Sequence, residues 1–109
     1  GAAPVAAAAV TTVAAKPAAA ADAAAAASWA LVTANSCNAC HGLDSKLVGP
    51  SFRDVTKKHG SRGDAIAYLT GKIRAGGSGV WGSIPMPPQT LTEADARTIA
   101  QWIVDGARK

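Results

Sequence analysis

The chain has 109 residues, 49% of them hydrophobic by count, a formal net charge of +4 at pH 7, and two cysteines. That length suits one domain, and scattered basic residues with no aromatic-interleaved stripe or groove-reading motif argue against nucleic acid as a partner. No stretch reads as a transmembrane helix: Val5 to Ala15 is mostly alanine, carries Thr11 and Thr12, stops at Lys16-Pro17 and follows no basic leader.

Residues 1–22 are an alanine- and proline-rich stretch without the large side chains needed to bury a face, and we expect a flexible linker or tether there. The folded domain then spans 23–109. A first helix is expected from Asp22 or Ala23 to Asn35, with Asp22 as N-cap and Trp29, Leu31 and Val32 as the residues it buries.

That helix delivers Cys37-Asn38-Ala39-Cys40-His41, which places two thiols and an imidazole within one helical turn. C-x-x-C-H is the attachment pattern of a c-type haem: each thiol adds to one vinyl group, and the adjacent imidazole lies under the iron. A structural zinc site would need four ligands, and His59 is the one other strong candidate. A thioredoxin-like pair expects a βαβ setting, and no strand pattern surrounds these cysteines. Both readings, and that of a plain structural disulfide, are weaker than haem attachment. A buried porphyrin would also give about eighty residues an apolar plate to pack on, so the chain without haem should fold poorly.

Val48-Gly49-Pro50 reads as an extended loop. Ser51 to His59 reads as a short helix with Phe52 and Val55 inward, stopped by Gly60, and a further helix starts at Ser61 and runs through Arg74 with Ala65, Ile66, Leu69 and Ile73 in period. His59, following Lys57-Lys58, is expected as a solvated surface histidine. Gly76-Gly77-Ser78-Gly79 breaks the helix and lacks the spacing of a phosphate loop. A last helix starts at Thr92, with Glu93 and Asp95 in its first turn, an inward face of Ala96, Ile99, Trp102, Ile103 and Gly106, and Arg108-Lys109 at its C-terminus. The fold class is all-α.

Met86 is the only methionine, and it sits in Ile84-Pro85-Met86-Pro87-Pro88, where the prolines preclude helix interior and no periodic apolar face runs through it. A thioether there suits the sixth position on a haem iron, opposite His41.

CNACH, VGP, GVWGSIPMPP and a C-terminal amphipathic helix, in that order, resemble the short bacterial class I cytochromes c of the cytochrome c-551/c-552 group over roughly Ala30 to Ala107. The resemblance implies a class I cytochrome c fold of four to five short helices around one haem c. Thioethers would form at Cys37 and Cys40, with His41 and Met86 as the axial ligands. It further implies that the Pro50 carbonyl accepts from His41 and that the Trp81 indole donates to a haem propionate. Lys72 stands where such proteins often hold an arginine near that propionate, and Gln89 where an asparagine often touches the Met sulfur. Val32 stands where relatives place an aromatic against the last helix, so Trp29 is expected to help fill the space beside Trp102.

The function implied is one-electron transfer between periplasmic redox proteins by a monomer that is not an enzyme, with membrane contact only through a tether. The rival reading is a haem domain of a larger redox enzyme or membrane-anchored cytochrome, with the alanine-rich stretch as linker. A haem sensor or peroxidase would require Met86 to be off the iron.

Overall fold

The computed structural model describes residues 18–109; residues 1–17, most of the expected linker, lie outside the described residues. Four helices, α1 (Ala18–Ala34), α2 (Phe52–His59), α3 (Ala65–Ala75) and α4 (Glu93–Val104), are joined by loops, with a short 3-10 turn at Cys37–Ala39 between α1 and α2. The all-α expectation holds: among the described residues β-type pairing is confined to two isolated bridges, His41 with Lys46 and Gly77 with Met86. No helix among them is long and apolar enough to cross a membrane.

The first helix begins at Ala18, earlier than the expected Asp22 or Ala23. Alanine has the highest intrinsic helix propensity, and here the run is also given something to bury: Ala25, Ser28 and Val32 form a helically spaced buried stripe. Asp22 is therefore inside the helix and caps nothing. Its carboxylate accepts a 2.6 Å hydrogen bond from Arg108 at the far end of the chain. Just past α1, Ser36 takes a left-handed conformation (φ +59°), and its amide bonds the Thr33 carbonyl at 3.1 Å, which ends the helix and aims the chain into the cysteine turn.

Helices α2 and α4 start at capping side chains. Ser51 Oγ accepts from the Asp54 amide and Thr92 Oγ1 from the Asp95 amide, each at 3.1 Å. Helix α3 starts at Ala65 and not at Ser61, because the Arg62 guanidinium grips the Asp64 carboxylate at 2.8 and 3.0 Å and holds the chain in a turn first.

Helix α4 is the hub, packing on α1, α2 and α3. Phe52, Val55, Leu69, Ile73, Ile99 and Trp102 belong to one buried cluster with Val32. Phe52 meets Trp102 edge to face at 5.1 Å, and Trp29 packs on the same indole at 5.9 Å, the contact expected of it. Across the α2–α4 seam Thr56 Oγ1 donates to the Ile103 carbonyl at 2.7 Å.

The basic C-terminus does not extend α4 as expected. Gly106 (φ +110°) and Ala107 (φ +54°) reverse the chain, with the Ala107 amide on the Trp102 carbonyl at 2.9 Å. The Trp102 indole donates to the Arg108 carbonyl at 2.6 Å, and Lys109 Nζ lies 5.2 Å from the centre of the Trp29 ring. Both terminal cations thereby fold back onto α1.

Candidate haem-binding site

The attachment turn is built by local hydrogen bonds. The amides of Cys40 and His41 both reach the Cys37 carbonyl, at 3.2 and 3.0 Å, which places Cys37, Cys40 and His41 on one tight turn. Both thiols are free, Cys37 half-buried and Cys40 exposed. Burial pushes the Cys37 thiol above its ordinary pKa; a backbone hydrogen bond opposes this and neighbouring Cys40 adds to it.

The loop from Gly42 to Pro50 fixes the imidazole. The Gly49 amide donates to the Cys40 carbonyl at 2.8 Å, and the Phe52 amide to the Gly42 carbonyl at 2.9 Å. His41 Nδ1 then lies 2.8 Å from the Pro50 carbonyl oxygen. A carbonyl can only accept, so Nδ1 carries the proton and Nε2 keeps its lone pair for a metal. The ring packs against Phe52 at 5.4 Å. Gly49 permits this approach: a Cβ there would sit 2.5 Å from His41 Cε1 and 2.8 Å from Nδ1. Neither the Phe52 contact nor the Gly49 clearance was anticipated from the sequence, although the VGP stretch carried the signal for the second.

A second cluster holds the candidate sixth ligand. The amides of Gly77 and Met86 exchange hydrogen bonds with each other's carbonyls, at 3.0 and 2.7 Å, pinning the methionine loop to the end of α3. Gly76 (φ +70°) lies so close to this loop that a Cβ there would strike the Met86 carbonyl. Gln89 hydrogen-bonds the Pro87 carbonyl at 2.9 Å, not the Met86 sulfur. Lys72 lies beside this cluster, its Nζ 3.5 Å from where a Gly77 Cβ would be.

Trp81 is 39% exposed and rests on α2, with Lys58 Nζ 5.3 Å from its ring centre and the His59 ring 6.0 Å away, the two planes at 79°. His59 itself departs from expectation. It is buried, at 6% exposure, against Tyr68 of α3 at 4.9 Å, because α2 ends against α3 and turns the imidazole into the joint.

A separate cavity of about 520 Å³, lined by Thr70, Gly71, Arg74, Gln89, Leu91 and Arg97 among others, contains none of the residues expected to hold the haem or its iron. The residues that fit haem c lie elsewhere: two free thiols in one turn and an imidazole whose outer nitrogen is fixed by a carbonyl.

The cytochrome c family model matches residues 13–107. The chain is 55% identical over 78 residues to cytochrome c-552 of Hydrogenobacter thermophilus, covering 72% of this chain and 80% of the relative. It is 50% identical over 74 residues to cytochrome c-551 of Pseudomonas denitrificans, covering 68% and 90%. The crystal structure of wild-type Nitrosomonas europaea cytochrome c552 superposes with a TM-score of 0.68 at 47% identity, over 70% of this chain and 95% of that one. Fold and attachment turn together define an all-α class I cytochrome c with covalently bound haem c. This chain belongs to the cytochrome c family and is of the c-551/c-552 type.

Proposed function

We propose that the chain is a periplasmic monohaem one-electron carrier in which His41 Nε2 and Met86 Sδ would be the protein's two ligands to the haem iron. When bound, haem c supplies the Fe(II)/Fe(III) couple. The observation that carries this reading is the hydrogen bond from His41 Nδ1 to the Pro50 carbonyl, which orients the imidazole so that Nε2 is left to meet a metal. The paired hydrogen bonds between Gly77 and Met86 support the second ligand, since they hold the thioether on a loop that cannot collapse into helix. Two held ligands discourage a third from binding and limit rearrangement when the oxidation state changes, which is what a carrier requires. In this reading Cys37 and Cys40 would form the thioethers, while Trp81 and Lys72 would help hold the propionates.

Val48, Val80 and Ile84 are exposed apolar residues on the loops that carry Pro50 and Met86. Together with Lys46, two residues before Val48, and Lys72 of α3, they would form a small docking patch at the haem edge, suited to brief contact with an acidic redox partner. A spectroelectrochemical titration of the holoprotein checks the carrier reading. A reversible one-electron transition with no ligand uptake from added azide or peroxide supports it; turnover of peroxide would overturn it. Charge reversal at Lys46 and Lys72 should slow electron exchange with an acidic partner at low salt, and an unchanged rate would remove the electrostatic patch.

A further inference from the structure

His59 closes α2, only 6% exposed, with its ring between those of Tyr68 of α3 (4.9 Å) and Trp81 (6.0 Å, planes at 79°). Cations ring this aromatic trio. Lys58 Nζ is 5.3 Å from the Trp81 ring centre, Arg62 Cζ is 3.9 Å from the Tyr68 ring centre, and Lys72 Nζ is 5.8 Å from the latter. Each is attracted to the negative face of a π-system. The acid in this turn, Asp64, is already held by Arg62 at 2.8 and 3.0 Å. A proton on buried His59 would therefore add a fourth positive charge beside Lys58, Arg62 and Lys72, where the Asp64 carboxylate is already engaged by Arg62. Burial first, then Arg62, then Lys58, hold its pKa below the ordinary histidine value.

We propose that His59 is a proton-dependent positioning residue for Trp81. Neutral, its ring seats the indole on the α2–α3 joint. Protonated, it is repelled by Lys58 and Arg62, and it moves out of the joint and frees Trp81. Trp81 lies on the same loop as Met86, whose base is closed by the Gly77–Met86 pair and whose tip is closed by the Gly79 amide on the Gly82 carbonyl at 2.7 Å. Unseating the indole thus loosens the loop between those two closures. The inference rests on the carrier reading only in giving Trp81 a place beside the haem. The seat itself is a contact between protein side chains.

The test is an NMR titration of the ¹⁵N-labelled holoprotein from about pH 8 to about pH 4.5, following the His59 ring protons and the Trp81 indole N–H together. Both should change with one shared midpoint, below about 6.5. Solvent exchange of the indole proton, corrected for the intrinsic pH dependence, should rise about tenfold for each pK unit of coupling between protonation and seating. His59→Phe should fill the joint without titrating and leave Trp81 flat over the same range. Arg62→Gln, an exposed change that removes one repelling cation, should move both midpoints upward together, and it keeps the proposal open to refutation should His59→Phe fold poorly. A Trp81 titration that persists in His59→Phe, or a His59 midpoint at or above about 6.5, overturns the proposal, as does a midpoint unmoved by Arg62→Gln. Trp81→Phe separates the two readings. A haem environment and potential unchanged by it would remove Trp81 from the propionate and leave the coupling of His59 to Trp81 standing.

Discussion

His41 Nδ1 and the Pro50 carbonyl oxygen are 2.8 Å apart, and that one hydrogen bond determines which imidazole nitrogen can meet a metal. The residue between VGP's ends makes it attainable: Gly49 passes so close to the ring that a methyl group would lie 2.5 Å from Cε1. Gly49→Ala should therefore push the imidazole out of line with Pro50, costing about 1–3 kcal/mol of stability through overpacking. Denaturant unfolding of the holoprotein checks the cost, and the His41 ring N–H signal checks the bond. A Gly49→Ala variant as stable as the native chain, with that signal unmoved, would show that the loop has room to yield.

The core prediction separates burial from hydrogen bonding. Ile99 is 1% exposed inside the main cluster, so Ile99→Ala should cost roughly 2–5 kcal/mol. Thr56→Val keeps the shape and removes the hydroxyl that reaches the Ile103 carbonyl at 2.7 Å. That carbonyl also accepts from the Gly106 amide at 3.0 Å, so it is not orphaned and the loss should be only about 0.5–1.5 kcal/mol. Urea midpoints in the opposite order would mean that the α2–α4 seam depends on the hydroxyl more than on apolar contact.

The ion pair that closes the chain should matter little. Asp22 and Arg108 are 2.6 Å apart, but their side chains are 64% and 56% exposed. Asp22→Ala should change stability by less than about 1 kcal/mol and the difference should vanish in high salt. Thermal melts at two ionic strengths decide this.

His59 also makes stability depend on pH, with a definite sign. Its pKa is lower in the folded chain than in the unfolded one, so as pH falls the unfolded chain takes up the proton first. The contribution is full above about pH 6.5 and is lost as pH drops through the folded-state pKa. Melting temperatures of the native chain should fall over that interval by more than those of His59→Phe, and parallel curves would contradict the assignment.

The parts of the site that depend on short spacing were legible in the sequence. The CNACH turn, the VGP loop, the proline-bounded Met86 and the cap Thr92 are all local patterns, and the structure gives the turn, the loop and that cap directly, together with the His41–Pro50 bond that the family resemblance implied. What escaped depends on partners far away along the chain. His59 looks like a surface residue beside two lysines until Tyr68 and Trp81 arrive from other elements. Asp22 reads as a cap until Arg108 is brought to it. The early start of α1 was hidden for a different reason: in a run of alanines every face looks alike, so no periodicity marks Ala25, Ser28 and Val32 as the buried stripe.

The pairing of His41 with Met86 on one iron is tested most directly by the absorption spectrum of the oxidised holoprotein in the near red, where a ferric iron bound by a thioether sulfur gives a weak charge-transfer band. We expect the band in the native protein, its loss in Met86→Ala, and a low-spin spectrum restored in that variant by added imidazole. A high-spin native spectrum without the band would leave the sixth position open and contradict the electron-carrier assignment.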